Sequence, residues 1–313
     1  MQPETALARL GGAARRIDVI NAGVGPKVLR AARESGRVVV PVRGTYALPL
    51  ASRETVAVAA LRGQLCCVSA CSTWGIRQLT EPKFPHIAVP PNRHLRPDRL
   101  AKLNIPDVHR GVAFVANTRT LPVREALDTA ALCTTPLEQL VMVDAALESG
   151  LLEYPELAFF RCGTDARRKW LARTANGRAM SVSESVARVV LGAGGLRPRV
   201  QVSRAGVGAL DLAVGTRHFV EIDGFKDHSK YPQFKKDRLR DREVSAARDW
   251  TLRYTYWDVV EDPRWFVRDV ARIVRQPVHL RFEARMAWLT AAPQTTLNPI
   301  SSQTRAHSGS YAA

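Results

Sequence analysis

The 313-residue sequence has few cysteines and no long apolar run. Its five cysteines are odd in number and unevenly spaced, which argues against a disulfide framework and fits a reducing compartment. No apolar run approaches the length of a membrane-spanning helix. Residues 1–10 include Glu4 and lack the continuous apolar stretch of a secretory signal. We therefore expect a cytoplasmic protein with no membrane partner.

Acidic residues are scarce relative to basic ones. Lysine and arginine number 46, aspartate and glutamate only 29, and the net charge is +17. Hydrophobic residues make up 46% of the chain, which is enough to build packed cores. A basic excess of this size favours a polyanionic partner, and we expect DNA ahead of an anionic membrane.

The cysteines and histidines do not have the spacing of a zinc motif. Only Cys67 and Cys71 come near one of the two close pairs that such a motif needs. His86, His94 and His109 lie far apart along the chain. We therefore predict small buried cysteines and ordinary surface or core histidines, with a zinc site as the alternative.

Residues 1–50 have the pattern of a winged helix-turn-helix, a DNA-binding unit of three helices and a hairpin. The predicted helices and strands lie at residues 3–10, 17–22, 26–32, 38–40 and 46–48. Cations on the third helix and the hairpin suit phosphate contacts. They are Lys27, Arg30, Arg33 and Arg43. The alternative is a solvated basic face on a small helical bundle.

Residues 51–176 are predicted to form a mixed α/β extension that ends in a basic linker. The expected elements are a helix at 54–61, a strand at 66–69, a helix at 72–79, a strand at 86–89 and an apolar helix at 137–147. The linker cations flank Trp170 and belong either to a solvated helix face or to a surface that follows a phosphate backbone. They are Arg167, Arg168, Lys169 and Arg173.

Residues 177–280 carry the order α-β-β-β-α-β. A helix opens at Ser181, three strands at 199–203, 209–214 and 218–222 form an antiparallel meander, and a charged helix at 233–248 precedes a strand at 251–255 and a last helix at 262–274. Residues 291–313 are predicted to be a disordered tail because they lack acidic residues and are rich in small polar ones. The fold class is therefore α/β, or α+β overall.

The alternation of side chains along the strands of this meander predicts where three carboxylates lie. Asp211 takes the face opposite to its two leucine neighbours, and Glu221 and Asp223 share one face of the next strand. Repulsion disfavours such a cluster unless a cation occupies it, and oxygen ligands select Mg²⁺ or Mn²⁺. Such an ion polarises a phosphodiester and lowers the pKa of bound water. We therefore predict that Asp211, Glu221 and Asp223 bind a metal.

Several segments between residues 181 and 258 share the order of a known nuclease family. They are Ser183-Glu184, Ala209-Leu-Asp-Leu-Ala-Val214, Val220-Glu-Ile-Asp-Gly-Phe-Lys-Asp-His228, Lys236-Asp237-Arg238 and Leu252-Arg-Tyr-Thr255. This region resembles the endonuclease-like domains related to very-short-patch-repair endonucleases, within the PD-(D/E)xK superfamily. The resemblance implies a restriction-endonuclease-like core and a Mg²⁺-dependent endodeoxyribonuclease. It implies that Asp211 binds metal, that Glu221 is the second acid and Glu184 the helical acid, and that Asp223 and His228 lie at active-site positions.

The third motif departs from the superfamily pattern. It normally reads Glu-x-Lys, whereas here it reads Glu-Ile-Asp from Glu221. The missing lysine normally helps to orient the attacking water and to stabilise the transition state. Lys226, Lys235 or Lys236 can replace it, or His228 can act as the acid or base.

Ordinary structural interpretations of the same residues stay open. Ser181 and Glu184 have the spacing of a helix capping box. Asp211 can be a surface residue of its strand, and His228 can pair with a neighbouring aspartate in a loop.

A second resemblance lies in the first half of the chain. It rests on Arg43-Gly-Thr-Tyr46-Ala-Leu48 and, more weakly, on Ser69–Gly75 and Thr134–Leu147. These segments are similar to AbiEi-type antitoxins, which bind promoter DNA and repress their own operon. The resemblance implies an alternative function, a transcriptional regulator or antitoxin with an inert nuclease fold. A toxin protein and a homo-oligomer are then the expected protein partners, and an RNA-directed nuclease is a third alternative.

Overall fold

The computed structural model describes residues 1–106, 108–112, 114–115, 118–204, 207–223, 242–243 and 246–293. This part of the chain is a mixed α/β protein with three small sheets. Its helices are α1 (Pro3–Arg9), α2 (Arg16–Asn21), α3 (Pro26–Glu34), α4 (Arg53–Leu61), α5 (Cys67–Thr73), α6 (Pro97–Leu103), α7 (Val123–Thr129), α8 (Pro136–Glu148), α9 (Asp165–Thr174), α10 (Val182–Ala193), α11 (Tyr256–Val260), α12 (Pro263–Ile273) and α13 (Phe282–Leu289). Its strands are β1 (Ala13–Arg15), β2 (Val39–Val42), β3 (Thr45–Ala47), β4 (Gln64–Leu65), β5 (Ile87–Val89), β6 (His109–Arg110), β7 (Arg199–Arg204), β8 (Gly208–Val214), β9 (His218–Asp223) and β10 (Trp250–Thr255).

The N-terminal unit consists of α1, α2, α3 and a three-stranded sheet in the order β1-β3-β2. The three predicted helices and the hairpin are present, with bounds within two residues of the prediction. β1 was not predicted because two of its three residues are alanines, which are depleted in strands, and it pairs with β3. Leu7, Val19 and Leu29 belong to a small core of this unit.

The middle of the chain has little regular sheet. β4 pairs antiparallel with β5, and β5 pairs parallel with β6, over two residues each. The predicted strand at 66–69 and helix at 72–79 are wrong, because residues 67–73 form α5. The first five residues of α5 are all buried. A short apolar run that is buried on every side looks the same in a strand and in a helix.

The C-terminal sheet has the order β10-β9-β8-β7. The predicted meander is confirmed, since β7, β8 and β9 pair antiparallel, and β10 adds to β9 in parallel. Most of the predicted helix at 233–248, and residues 294–313 of the predicted tail, lie outside the described residues. α13 lies beyond the last predicted helix and was not foreseen.

One apolar core extends through the middle and C-terminal parts. It runs from Ala57 to Leu289 and includes residues of α8, α10 and the C-terminal sheet. A buried ion pair joins α8 to α10, with Arg188 Nη2 2.7 Å from Asp144 Oδ2. Described residues on both sides of position 176 therefore share a core. No helix in the described ranges has the length and apolarity required to cross a membrane.

Candidate functional site

A row of polar residues crosses the C-terminal sheet at one level. Extended by one position at Asp211, the registers of β7, β8, β9 and β10 bring one residue from each strand to the same level. From edge to edge these residues are Gln201, Asp211, Glu221 and Arg253. Two of them are the acids that the sequence singles out, whereas Gln201 and Arg253 were not predicted. Strand register, which the sequence does not reveal, is what brings them together.

Contacts within the row hold its side chains in place. Asp211 Oδ2 accepts a hydrogen bond of 2.9 Å from a backbone amide of β9, so this carboxylate takes part in the pairing of β8 with β9. Arg253 Nε lies 3.4 Å from Glu221 Oε2, and the arginine partly neutralises that acid. Gln201 Nε2 donates a hydrogen bond of 2.9 Å to Glu184 Oε2. The helical acid therefore joins the row through Gln201.

Glu184 also stabilises the start of α10. Its backbone amide donates to Ser181 Oγ at 3.1 Å, and its carboxylate accepts from the Met180 amide at 3.0 Å. Ser181 therefore caps α10, but the predicted capping box is only half formed, because the Glu184 carboxylate accepts from Met180 and not from Ser181. The contact with Gln201 is a third. Glu184 is buried.

The alternation predicted around Asp211 is wrong. Leu212 packs into the main core, whereas Leu210 packs with Phe219 in a separate cluster. Gln201 lies opposite Asp211 and has a φ of 49°, a left-handed backbone conformation. This irregularity in β7 interrupts the regular alternation of β8 at Asp211.

The structure does not bring Asp211, Glu221 and Asp223 together as three ligands of one ion. In the described ranges, the group of histidine, cysteine and acidic residues whose ligand atoms all lie within 4.8 Å of one another is a different one. Asp223 is exposed at the end of β9. His228, Lys226, Lys235 and Lys236 lie outside the described residues, so their predicted roles stay predictions.

A basic groove lies beside the row. It has a volume of about 1200 Å³ and is bounded by the end of α9, by α10, by the edge strand β7 and by α13. Gln201 lines it, so the groove reaches the polar row. None of the described lining residues is acidic, and six are arginines. They are Arg173, Arg178, Arg188, Arg199, Arg281 and Arg285.

Two tryptophans complete this groove. Trp170 of α9 and Trp288 of α13 meet edge to face, with ring centroids 4.9 Å apart. Two groove arginines are oriented by backbone carbonyls and have no ion pair among the described residues, whereas Arg188 is paired with the buried Asp144. Arg178 donates to the carbonyl of Gln201 at 3.0 Å, and Arg285 donates to that of Ala193 at 3.0 Å. The groove therefore combines fixed positive charge with aromatic surface.

The predicted cations of the N-terminal unit are at the surface. Lys27, Arg30 and Arg33 are exposed on α3, and Arg43 is exposed in the turn between β2 and β3. Their exposure is compatible with phosphate contacts. DNA binding by these residues stays a prediction.

Arg167 is not a surface cation, and its assignment to DNA binding is wrong. Its guanidinium is buried and donates to Gln139 Oε1 at 2.7 Å and to the carbonyls of Ala131, Thr134 and Thr135. Burial lowers the pKa of Arg167 to about 10. The side chain satisfies backbone acceptors around the start of α8 and cannot reach a phosphate.

The other linker cations have different neighbours, an aspartate for Arg168 and Lys169 and the basic groove for Arg173. Lys169 Nζ lies 2.7 Å from Asp165, which also lies 3.6 Å from Arg168. Arg168 further donates to the carbonyl of Gly163 at 2.6 Å. Of the four predicted residues, Arg173 is the one that lines the basic groove.

A second candidate site lies in the middle of the chain. Cys67, His86, His109 and Cys133 bring four potential metal-ligand atoms within 4.8 Å of one another. Cys67 Sγ lies 3.1 Å from His86 Nδ1 and 3.5 Å from His109 Nε2, and the two ring nitrogens are 3.4 Å apart. Cys67 and His109 are buried, and the other two are partly buried. This group can hold a metal ion.

The two thiols and the imidazole of His86 are neutral near pH 7 when no ion is bound. Burial raises the pKa of the Cys67 thiol well above its ordinary value. The contact with Cys67 raises the pKa of Cys133, and burial adds to this. Burial and the neighbouring His109 lower the pKa of His86 to about 4. Neutral imidazoles are the form that binds metals, whereas the thiols release protons on binding.

Sequence spacing missed this group. The predicted pair joined Cys67 to Cys71, but Cys71 is buried within α5 and lies outside the group. His86 and His109 were predicted as ordinary histidines. Each ligand comes from a different part of the chain and is separated from the next by about twenty residues. No short sequence motif therefore contains the group.

Comparisons with known proteins add little to this geometry. No family model matches the chain, and no curated protein matches it. The crystal structure of the RV2827C protein from Mycobacterium tuberculosis is 17% identical, with a TM-score of 0.38, and the match covers 59% of this chain and 78% of that chain. A TM-score of this size does not indicate a shared fold, and the likeness assigns no function.

Proposed function

We propose that the chain binds nucleic acid and hydrolyses phosphodiester bonds at the polar row of its C-terminal sheet. The observation that carries the proposal is the position of the basic groove. Its arginines and tryptophans line the same groove as Gln201 of β7, and Gln201 lies beside Asp211 in the row. A polyanion held in the groove therefore lies next to the two acids.

The composition of the groove favours a single strand. Arginines neutralise the phosphate backbone, and aromatic rings stack on exposed bases, a contact worth about 1–3 kcal/mol per base. Trp288 is 37% exposed and lines the groove together with Trp170. A duplex hides its bases, so it gains the electrostatic contribution but not the stacking.

The donor set of the row suits Mg²⁺ or Mn²⁺. Asp211 and Glu221 offer carboxylate oxygens from adjacent strands, which are the ligands that these hard cations prefer. A bound ion there would polarise the scissile phosphate and lower the pKa of a water molecule. Glu184 orients Gln201 against the row, and Arg253 places a positive charge beside Glu221. Arg253 is thus a candidate for the electrostatic role of the missing Glu-x-Lys lysine.

A second candidate function is a DNA-binding regulator with an inert sheet. The ion pair between Arg253 and Glu221 favours it, because a neutralised acid is a poorer metal ligand. The order of α1, β1, α2, α3, β2 and β3 also supports a winged helix, and α3 exposes Lys27 and Arg30. This function matches the resemblance to AbiEi-type antitoxins and would require a toxin partner or an operator.

Cleavage assays separate these two functions. The full chain is incubated with Mg²⁺ or Mn²⁺ and with single-stranded DNA, duplex DNA or RNA. We expect metal-dependent cleavage of single strands, and Asp211→Asn or Glu221→Gln should reduce the rate by about 10²–10³ or more without weakening binding. Glu261→Gln, at an exposed position of the same region, is the matched control.

Salt titrations locate the binding surface. Each lost phosphate contact should reduce the slope of log K against log salt by roughly 0.7 for single strands. Arg173→Ala and Arg281→Ala in the groove should each have this effect, whereas Lys169→Ala should not. Duplex binding without cleavage, abolished by Lys27→Ala and Arg30→Ala together, would support the regulator and contradict the nuclease.

A further inference from the structure

The group formed by Cys67, His86, His109 and Cys133 lies where the chain has little regular structure. Cys67 begins α5, His86 directly precedes β5, His109 lies in β6, and Cys133 follows the 3-10 turn at residues 130–132. The strands of this sheet have only two or three residues each. Few backbone hydrogen bonds therefore join these four segments, and side chains must do so instead.

Two of the three separations among Cys67, His86 and His109 fit a tetrahedron around one ion, and the third is shorter by about 0.2 Å. Tetrahedral zinc, with Zn–N of roughly 2.0–2.1 Å and Zn–S of roughly 2.3 Å, keeps its ligand atoms about 3.3–3.8 Å apart. The separations from Cys67 Sγ to His86 Nδ1, from Cys67 Sγ to His109 Nε2 and between the two ring nitrogens are 3.1, 3.5 and 3.4 Å. Cys133 lies within the same 4.8 Å limit.

We propose that Cys67, His86, His109 and Cys133 bind one structural Zn²⁺ ion. Two thiolates and two imidazoles form a donor set typical of zinc and unsuited to Mg²⁺ or Ca²⁺, which prefer oxygen. The protein supplies all four ligands, so no coordination position remains for a substrate, as in structural sites. The ion links α5, β5, β6 and the 3-10 turn.

A metal-free hydrogen-bond network is the competing explanation of the same geometry. Thiols can donate to ring nitrogens, and Cys67 Sγ lies close enough to both histidines. Sulfur is a weak hydrogen-bond partner, however, and two histidines with two thiols gain little from it. Within the described residues, Nδ1 of His109 is buried without a hydrogen-bond partner under either explanation, because the group is contacted through Nε2.

The first measurement is the metal content of the purified full chain. We expect about one zinc ion per chain. Cys67→Ser and Cys133→Ser should lose it, whereas Cys71→Ser should retain it. Cys71 is the matched control because it is buried in the same helix but lies outside the group. His86→Cys should also retain zinc, since three cysteines and one histidine form a zinc donor set.

The second measurement does not depend on the folding of a variant. The wild-type chain is stripped with a chelator and loaded with Co²⁺, which should give the visible spectrum of a tetrahedral site with two thiolates. Chelation should also lower the melting temperature, because binding to the folded state alone stabilises it. Neither readout requires nuclease activity, so the zinc site and the proposed function stand or fall separately.

Three outcomes would overturn the proposal. One is a wild-type chain that holds less than about 0.1 zinc per chain and gives no tetrahedral Co²⁺ spectrum. Another is a loss of zinc from Cys71→Ser as large as that from Cys67→Ser. The third is iron in place of zinc at this group.

Discussion

The middle of the chain and its C-terminal sheet are held together in different ways. β7 to β10 have six or seven residues each, with five pairs between β7 and β8, three between β8 and β9 and six between β9 and β10. β4, β5 and β6 have two or three. In the middle region, side chains bind the backbone instead, as when Gln64 donates to the Thr118 carbonyl at 2.9 Å and Trp74 donates to that of Leu121 at 2.9 Å.

This difference follows from the need to satisfy buried backbone groups. Where a strand ladder is long, backbone amides and carbonyls satisfy one another. Where it is short, the carbonyls need side-chain donors, and Arg119 supplies them at the junction with the N-terminal unit, to Leu10 and Thr55. A single side chain in the middle region therefore carries more of the stability than one in the sheet.

The largest effect on stability is expected at the joint between the two regions. Asp144→Ala removes the partner of the buried Arg188, and an uncompensated buried charge costs about 3–5 kcal/mol. The matched control is Glu148→Ala at the end of the same helix, whose pair with Arg77 is exposed and worth less than about 1 kcal/mol. Urea denaturation measures both free energies of unfolding. Equal losses in the two variants would contradict the burial of this pair.

A smaller effect is expected within the middle region. Arg167→Ala leaves several buried carbonyls without donors, at a cost of about 1–3 kcal/mol. Lys169→Ala, two residues away, removes only an exposed pair with Asp165 and should change stability far less. Thermal unfolding compares the two. If Arg167→Ala instead weakens DNA binding and leaves stability unchanged, its buried position is wrong.

The smallest effect is expected in the C-terminal sheet. Tyr254→Phe removes a hydrogen bond of 2.8 Å to Asp269 Oδ2, worth about 0.5–1.5 kcal/mol. The ring keeps its edge-to-face contact with Phe266, and Asp269 keeps its pair with Arg272. Unfolding free energies measured by urea titration test this value. A loss as large as that of Arg167→Ala would remove the contrast between the two regions.

Several features could be predicted because they depend on neighbouring residues. The meander of β7, β8 and β9 follows from alternation and short turns, and the helix at 136–148 follows from Thr135, which caps it with Glu138. The basic excess could be counted directly. These features are local, so any fold that contains the segments would show them.

Other features depended on long-range packing. The burial of Arg167, the break in alternation beside Gln201 and the helical state of residues 67–73 all follow from contacts with distant parts of the chain. The basic groove likewise joins α9 to α13, more than a hundred residues later. No window of sequence contains both sides of such a contact, so composition and periodicity do not report it.

Sequence alone therefore determined the short-range elements, the total charge and two acids, Asp211 and Glu221, on neighbouring strands. Tertiary structure decided which other residues stand beside those acids, which cations face solvent, and that Cys67 and Cys133 meet His86 and His109. The physical reason is that periodicity records the face a residue takes on its own element. Only the packing of elements against one another determines which faces meet.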